Sequence, residues 1–325
     1  MTTSSGGVPY LRDVDLRHLE VFRIVADCGG LSAAQVELNL SLSTISLHVG
    51  ELEGRLGMRL CQRGRGGFAL TPEGRIVYKA YARLGSALQD FRSEVGSARE
   101  QLTGELSIAV VDSTVTDANS PVVAAIRRFQ AVATEAEIRI HVQAPKEIER
   151  GVLDRHVHVG IGKFYHRLPE LEYRDLYSEE LALYCAREHP LFERAVDVTD
   201  TAELAGMPYV SRGYVTEDER PEAIVDVRPG AIAYQLEGIA MLILSGCYIG
   251  FLPTHYAAYW VERDDMRPLL SRAAFYRIGI TAITRRNLEP PPVVRAFLDS
   301  LLDIAGSPGQ GDRESMRLGG SGSLK

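Results

Sequence analysis

Residues 32–57, SAAQVELNLSLSTISLHVGELEGRLG, constrain the fold of this chain more than any other stretch. Ser32 and Ser41 each stand where a helix N-cap would be, just ahead of a run with helical spacing. Two short helices joined by a tight corner follow from that, a helix-turn-helix pattern. In the second helix Ile45, Val49, Leu52 and Leu56 recur at four-three-four spacing, so one narrow face is apolar and is predicted to lie against the first helix. The other face carries Ser43, Ser46, Leu47 and Gly50. Small hydroxyls, one leucine and a glycine let a helix approach a DNA major groove closely, where hydroxyls meet base edges or phosphates and leucine meets a thymine methyl. Spacing alone leaves two readings open, a DNA-reading helix or a helical hairpin inside some unrelated core.

The flanks add to this. Continued by MRLCQRGRGGFALTPEGR, the stretch resembles the N-terminal domain of the LysR-type transcriptional regulators over roughly residues 15–100. The resemblance is carried by Ala33 and Ala34, by Ser46 and the Leu52-Glu53 pair, by Gly57, Leu60 and Arg63, and by Leu70-Thr71-Pro72-Glu73-Gly74 at the opening of a long helix. The chain departs from the family at Leu42-Ser43, where glutamine-proline is common, and at Leu47, Gly50 and Glu51, which replace basic or polar residues. Those departures bear on the DNA sequence preferred rather than on membership. With the resemblance, the DNA-contacting candidates are Ser32, Ser43, Thr44, Ser46, Leu47, His48, Arg55, Arg63 and Arg65.

The net charge of -7 looks wrong for a DNA binder until it is divided. Residues 41–83 hold seven bases and three acids, giving +4, and the remainder carries -11. The positive field is local. A chain of 325 residues with 45% hydrophobic content has room for two or three globular domains. Cys28, Cys61, Cys185 and Cys247 are scattered without a recurring interval, which reads as reduced thiols rather than a disulfide or zinc framework. The opening MTTSSGGVPY has no charged-then-apolar signal pattern, and the most apolar run, 239–252, is broken by Ser245-Gly246 and too short to span a bilayer. A cytoplasmic protein without membrane contact is expected.

In chain order, residues 1–14 are expected to be disordered, and Asp15 then caps a helix in which Leu16, Leu19, Phe22, Val25 and Ala26 share a face, ended by Gly29-Gly30. After Gly57, extended pieces at about 59–62 and 67–70 bracket Arg63-Gly64-Arg65-Gly66, a turn-rich tip read as a wing whose guanidinium groups suit phosphates or a narrow minor groove. A winged helix-turn-helix domain thus covers 15–71. Thr71 caps the next helix with Pro72 in its first turn. Along it Val77, Tyr81, Leu84, Leu88, Phe91, Val95, Ala98 and Leu102 alternate at four and three residues, the pattern of a coiled-coil seam. Such a stripe could also lie on a domain. The resemblance implies that this linker, 72–103, pairs with its twin through Val77, Tyr81, Leu84, Leu88, Phe91 and Val95, giving a homodimer or homotetramer on double-stranded DNA, with RNA polymerase as a further partner.

Beyond a hinge at Thr103-Gly104-Glu105 the texture becomes alternating strands (106–111, 138–142, 157–161) and helices (121–133, 146–153), a β-α-β order and a mostly parallel sheet. Further strands are expected at 171–176, 181–185, 248–252 and 276–284, with a last helix at 291–305. The resemblance implies an α/β fold like that of periplasmic solute-binding proteins: an effector-binding domain over 104–305, with lobe I at 104–174 and 276–305, lobe II at 175–275, and a ligand in the cleft. The Gly/Ser-rich end, 306–325, is expected to be disordered.

Strand 106–111 delivers Asp112-Ser113-Thr114 to the edge where ligands gather in open α/β sheets. The family places these residues on one side of the cleft, facing the loop that follows Tyr209-Val210. The effector candidates are therefore Ser113, Thr114, Phe164, Tyr165, Ser211, Arg212 and Tyr214, and hydroxyls, an arginine and an aromatic ring suit a small carboxylate. The other reading makes Arg212 a solvated loop residue and Ser113 a turn cap.

No nucleophile elbow, phosphate loop or dinucleotide fingerprint is present, so an enzyme is not expected and no cofactor is called for. His141, His156 and His158 fall on neighbouring strand positions but have no Cys or carboxylate array in ligand spacing, and they read as solvated or core histidines rather than a metal site. The sequence therefore reads as a ligand-responsive DNA-binding regulator. A small-molecule binding protein without a transcriptional role is the alternative, which would leave the N-terminal residues idle.

Overall fold

The computed structural model describes residues 12–64, 67–98, 102–194, 204, 206–216, 229–269 and 275–306. It divides into two compact units, Met1–Gln89 and Asp90–Lys325. The disorder expected for residues 1–11 and 307–325 and the wing-tip residues Arg65 and Gly66 lie outside the described residues.

The first unit opens with α1 (Asp13–Asp27), so residues 12–14 are ordered rather than loose. Asp15 is not its N-cap. It sits one turn inside, buried, and its Oδ2 accepts the Arg12 backbone N–H at 2.7 Å, so a carboxylate still closes the helix start. Gly29, at φ 70°, and Gly30 end the helix as expected, with the Gly30 N–H returning to the Val25 carbonyl. Next, α2 spans Ala34–Leu38. Ser32 does not cap it; Ala33 precedes the helix with no side-chain bond, and the Ala34 N–H reaches the Gly30 carbonyl instead. Asn39, in the left-handed region at φ 50°, turns the corner into α3 (Leu42–Leu56). There the Ser41 hydroxyl does cap, accepting the Thr44 N–H at 3.2 Å.

Ile45, Val49 and Leu52 are buried against Leu19, Phe22 and Val25 of α1, each such side chain worth about 1.5–3 kcal/mol of burial. The hairpin β1 (Cys61–Gly64) and β2 (Gly67–Leu70) follows, pairing Arg63 with Phe68. Arg63 is thus on the strand rather than in the tip. The Glu53 carboxylate is tied into this hairpin, its Oε1 accepting the N–H groups of Leu60 (2.7 Å) and Cys61 (3.2 Å). Thr71 caps α4 (Pro72–Ser97) by accepting the Gly74 N–H at 2.9 Å while donating its hydroxyl to the Arg59 carbonyl.

In the second unit the expected β-α-β order is realised by β3 (Thr103–Val110), α5 (Val122–Val132), β4 (Glu135–Val142), α6 (Pro145–Leu153) and β5 (Val159–Gly162). The expected hinge at 103–105 is the start of β3, where Thr103, Gly104 and Glu105 already pair with Glu135, Ala136 and Glu137. Two strands expected at 171–176 and 181–185 are one, β6 (Leu171–Ala186). The polar Tyr177-Ser178-Glu179-Glu180 segment breaks the hydrophobic pattern, but β11 (Tyr276–Arg285) supplies its backbone partners through the gap, with a register shift at Ile280/Thr281.

The remaining elements are β7 (Tyr209–Arg212), β8 (Pro229–Ala233), α7 (Leu236–Leu244), β9 (Ile249–Pro253), α8 (Thr254–Val261), β10 (Met266–Leu269) and α9 (Pro292–Gly306). The apolar run at 239–252 is thus a helix and a strand, separated by Gly246 in the left-handed region at φ 72°. Among the described residues one sheet runs β4-β3-β5-β11-β6-β9-β7-β8, with β10 also on β6. One half packs around Ile108, Phe129 and Phe297 on one face and Ile148, Val157 and Ile283 on the other. The other half packs around Leu183, Phe192 and Phe251, and around Tyr184, Ile239 and Leu252. Leu176 and Tyr177 belong to the first half's core and Leu181 to the second's, while Ile278 touches both. The passage between halves therefore falls inside β6 and β11, beyond the boundary drawn at 174 and 175.

Gly74 shows how tightly α4 docks in the first unit. A Cβ there would stand 1.9 Å from the Leu60 carbonyl oxygen and 2.8 Å from its carbon. Gly74→Ala is expected to cost about 1–3 kcal/mol through forced backbone movement, read as a lower urea midpoint with an unchanged slope.

Candidate DNA interface and effector cavity

On α3 the face opposite the buried stripe presents Ser43 and Gly50 exposed, Leu47 at 57% exposure and Ser46 half-buried. The Ser41, Ser43 and Thr44 hydroxyls are linked to one another at 2.8 Å, a polar cluster at the helix start. Ser32, Leu42 and Ser46 line one hollow with Gly67 and Phe68 of the hairpin, so the structure gathers helix, corner and wing onto one surface. Two candidates have other work. His48 stacks its ring on that of His18 at 4.9 Å, and burial, helped by His18 and Arg17, holds it below the usual histidine range. Arg55 is paired through Nε with buried Asp15 at 2.6 Å, fastening the end of α3 to the start of α1. Both side chains thus have a partner on α1, His48 through its ring and Arg55 through its guanidinium.

The stripe on α4 is divided. Val77 and Tyr81 pack into the first unit's own core, and Tyr81 donates its hydroxyl to Glu20 at 2.8 Å. Leu84 is half-buried, whereas Leu88, Phe91 and Val95 are 51%, 63% and 45% exposed. The helix ends at Ser97, so Ala98 and Leu102 do not extend the stripe, and Leu102 packs on the core around Ile108 instead.

Within the second unit the strand ends enclose a cavity of about 50 Å³, lined by residues of both halves, including Asp112, Lys163, Tyr165, Glu179, Arg212, Tyr214 and Tyr276. That is space for roughly four water-sized groups. Arg212 is half-buried, its side chain 19% exposed, and lies 4.9 Å over the Tyr214 ring. Burial works against its charge, but Tyr214 and Asp112 outweigh this and hold the guanidinium pKa above its ordinary value. Its Nη2 donates to Asp112 Oδ1, while the buried Nε has no hydrogen-bond partner. Asp112 Oδ2 in turn accepts the Leu236 N–H, the first of α7, at 2.5 Å. A carboxylate from the end of β3 thus occupies an arginine and a helix N-terminus of the other half. Lys163 lies 5.5 Å over the Tyr165 ring, adding a second cation.

Of the seven effector candidates, Tyr165, Arg212 and Tyr214 line the cavity. Ser113 and Thr114 do not. Thr114 is buried and donates its hydroxyl to the Val111 carbonyl, closing the strand end. Phe164 faces the first half's core, edge-on to Tyr173 at 6.1 Å. Ser211 and Arg212 are on strand β7 rather than in a loop after it, so alternation sends Ser211 to the opposite face. Asp112, Lys163 and Glu179 complete the charged set. The first two follow strands and were accessible to the same strand-end reasoning; Glu179 sits mid-strand and gives no such signal. His158 accepts the Ser107 N–H on Nδ1 at 2.9 Å, and burial lowers its pKa to about 4, as a core histidine requires.

A helix-turn-helix unit with a wing, joined to a two-halved α/β unit with a charged cavity at its strand ends, defines a ligand-responsive DNA-binding regulator. Residues 16–75 match the bacterial regulatory helix-turn-helix protein, lysR family, and residues 99–305 match the LysR substrate binding domain. The chain belongs to the LysR family of transcriptional regulators, which are not enzymes. It is 43% identical over 289 residues to the HTH-type transcriptional activator BauR of Pseudomonas aeruginosa, covering 89% of this chain and 95% of that one. It is 23% identical over 290 residues to the regulator TcbR of Pseudomonas sp. (strain P51), covering 87% and 96%. Among solved structures it resembles CbnR, a LysR family transcriptional regulator, with a TM-score of 0.67 at 21% identity over 90% of this chain and 99% of that one. CbnR in complex with its target DNA superposes with a TM-score of 0.64 at 21% identity over 89% and 99%.

Proposed function

We propose that this regulator senses a small carboxylate, which displaces Asp112 from Arg212 and from the first N–H of α7. The observation that carries the reading is Asp112 itself. Its carboxylate occupies the Arg212 guanidinium and the first N–H of α7, two donors suited to an anion. An incoming anion therefore has to replace a resident one, and replacing Asp112 releases a contact between the two halves. Coupling of ligand to shape then follows from differential contacts in the two states. At the other unit, Ser43, Ser46 and Leu47 read the major groove, and Arg63 and Arg65 of the wing lie on the DNA backbone or in the minor groove. Leu88, Phe91 and Val95, with Leu84, form the face on which a second copy pairs. The chain acts in the cytoplasm, where its DNA is; no helix among the described residues is long and apolar enough to cross a membrane.

Asp112→Ala leaves the half-buried guanidinium unpaired and is expected to destabilise the second unit by about 1–3 kcal/mol. Short monocarboxylates should raise the melting temperature of this variant more than that of the parent, because the ligand alone then occupies the vacated seat. In Arg212→Ala the effect should vanish. Equal shifts in the parent and Arg212→Ala would show that the arginine does not hold the anion.

Changing Leu47→Asn should alter the preferred operator by about 1–3 kcal/mol at one base pair, visible as a different motif enriched from random DNA. Replacing Leu88 and Phe91 together by Glu should weaken self-association by placing like charges in the seam. Sedimentation that returns the parental oligomer would exclude this face as the contact.

A further inference from the structure

Beside the cavity Asp117, Glu179 and His255 converge, and one buried carboxylate oxygen among them has no donor. Asp117 follows the short 3₁₀ segment Thr114–Thr116, Glu179 lies mid-strand on β6, and His255 stands in the first turn of α8. His255 Nε2 is 3.0 Å from Glu179 Oε1 and 3.6 Å from Asp117 Oδ2, and one ligand atom from each of the three lies within 4.8 Å of the others. The Thr116 hydroxyl donates to the Ser113 carbonyl at 2.9 Å, so at 2.8 Å it accepts from the Nδ1–H of His255. In the neutral ring that leaves the Nε2 lone pair facing two carboxylates. Asp117 is 7% exposed; its Oδ1 takes the Asn119 N–H at 2.8 Å, but its Oδ2 is buried with no hydrogen-bond partner.

Two carboxylates and an imidazole meet here, and the unpartnered Asp117 Oδ2 calls for a cation among them. A proton on Nε2 would satisfy one carboxylate and leave Asp117 Oδ2 beyond hydrogen-bond reach at 3.6 Å. We propose that Asp117, Glu179 and His255 bind a divalent transition-metal ion of the zinc class. Tetrahedral coordination with bonds of about 2.0–2.1 Å places neighbouring ligand atoms about 3.3 Å apart, and the separations here, 3.0 and 3.6 Å, bracket that value. The imidazole disfavours calcium and magnesium, which take oxygen ligands, and the two carboxylates match a dication. The surrounding shell is also that of a metal site, with Thr116 fixing the ring tautomer and Asn119 orienting the carboxylate. Three protein ligands leave one coordination position open. Because Glu179 also lines the cavity, the ion fixes the orientation of one cavity wall and links residues of both halves.

The inference does not depend on the carboxylate reading, and its test uses no effector. The full-length chain, stripped with chelator, is titrated with Zn²⁺ against a chromophoric competitor and with Co²⁺ by visible absorption. One equivalent per chain is expected, with cobalt bands lacking the sulfur charge-transfer feature that the cysteines would produce. His255→Gln and Asp117→Asn should each weaken binding at least tenfold. Where metal-free melting shows that either variant is unfolded, Thr116→Val, which keeps all three ligands, decides in its place with an expected loss of about tenfold. Failure of the parent to bind either ion at 100 µM, or parental affinity in the folded variants, would overturn the assignment.

Discussion

The antiparallel ladder between β6 and β11 runs from Leu171 opposite Arg285 to Leu181 opposite Tyr276, and both halves of the second unit hang from it. The polar middle of β6 keeps its register opposite β11, so the chain carries Tyr177-Ser178-Glu179-Glu180 through the sheet despite the break in its hydrophobic pattern. The functional result is positional. Asp112 and Lys163 extend from β3 and β5, on one side of the ladder; Arg212 and the first turn of α7 come from the other. Glu179 is part of the ladder itself. The cavity exists where the hydrophobic pattern of the two long strands is interrupted, because apolar cores fill the space on either side.

Charge balance decides what that cavity can do. A buried guanidinium with no anion beside it is costly, and so is a buried carboxylate with no donor. Pairing Arg212 with Asp112, and Asp112 with the start of α7, meets both demands across the two halves. Under the proposed function the same pairing is what a ligand offering either partner a substitute would displace. A cavity lined only by apolar groups would take a ligand with little change in the contacts between halves. Under the proposed carboxylate reading, binding and rearrangement share the same hydrogen bonds.

What was legible in the sequence follows from the range of the forces involved. The caps at Ser41 and Thr71, the Ile45, Val49 and Leu52 stripe, and the β-α-β order are written in residues a few positions apart, and the structure contains them all. The contacts of Asp15 with Arg55 and of His48 with His18 join different helices, and nothing near Arg55 in the chain announces a buried carboxylate on α1. Ser32 looked like a cap by composition, yet the Gly30 carbonyl took the N–H it would have accepted elsewhere in the turn. At the cavity, strand-end logic found Arg212, Tyr214 and Tyr165. It misplaced Ser211 because the end of β7 was drawn before it, and one residue changes the face in a strand. Glu179 and His255 lie far apart in the chain, and only the sheet and α8 bring them together.

The stripe on α4 shows why periodicity identifies a buried face without naming what buries it. Val77, Tyr81, Leu88, Phe91 and Val95 belong to one regular pattern, yet the first two are packed in the first unit's core while the last three remain exposed. The difference lies in what stands opposite. Near its start the helix is held against Leu60 at Gly74, where there is no room even for a methyl group, and Tyr78 and Tyr81 donate hydroxyls to Asp27 and Glu20 of α1. That docking fixes the rotation of the helix about its own axis. A single sequence pattern thereby serves two purposes: its first turns are buried in the first unit's core, and its later turns carry exposed apolar residues at the same spacing.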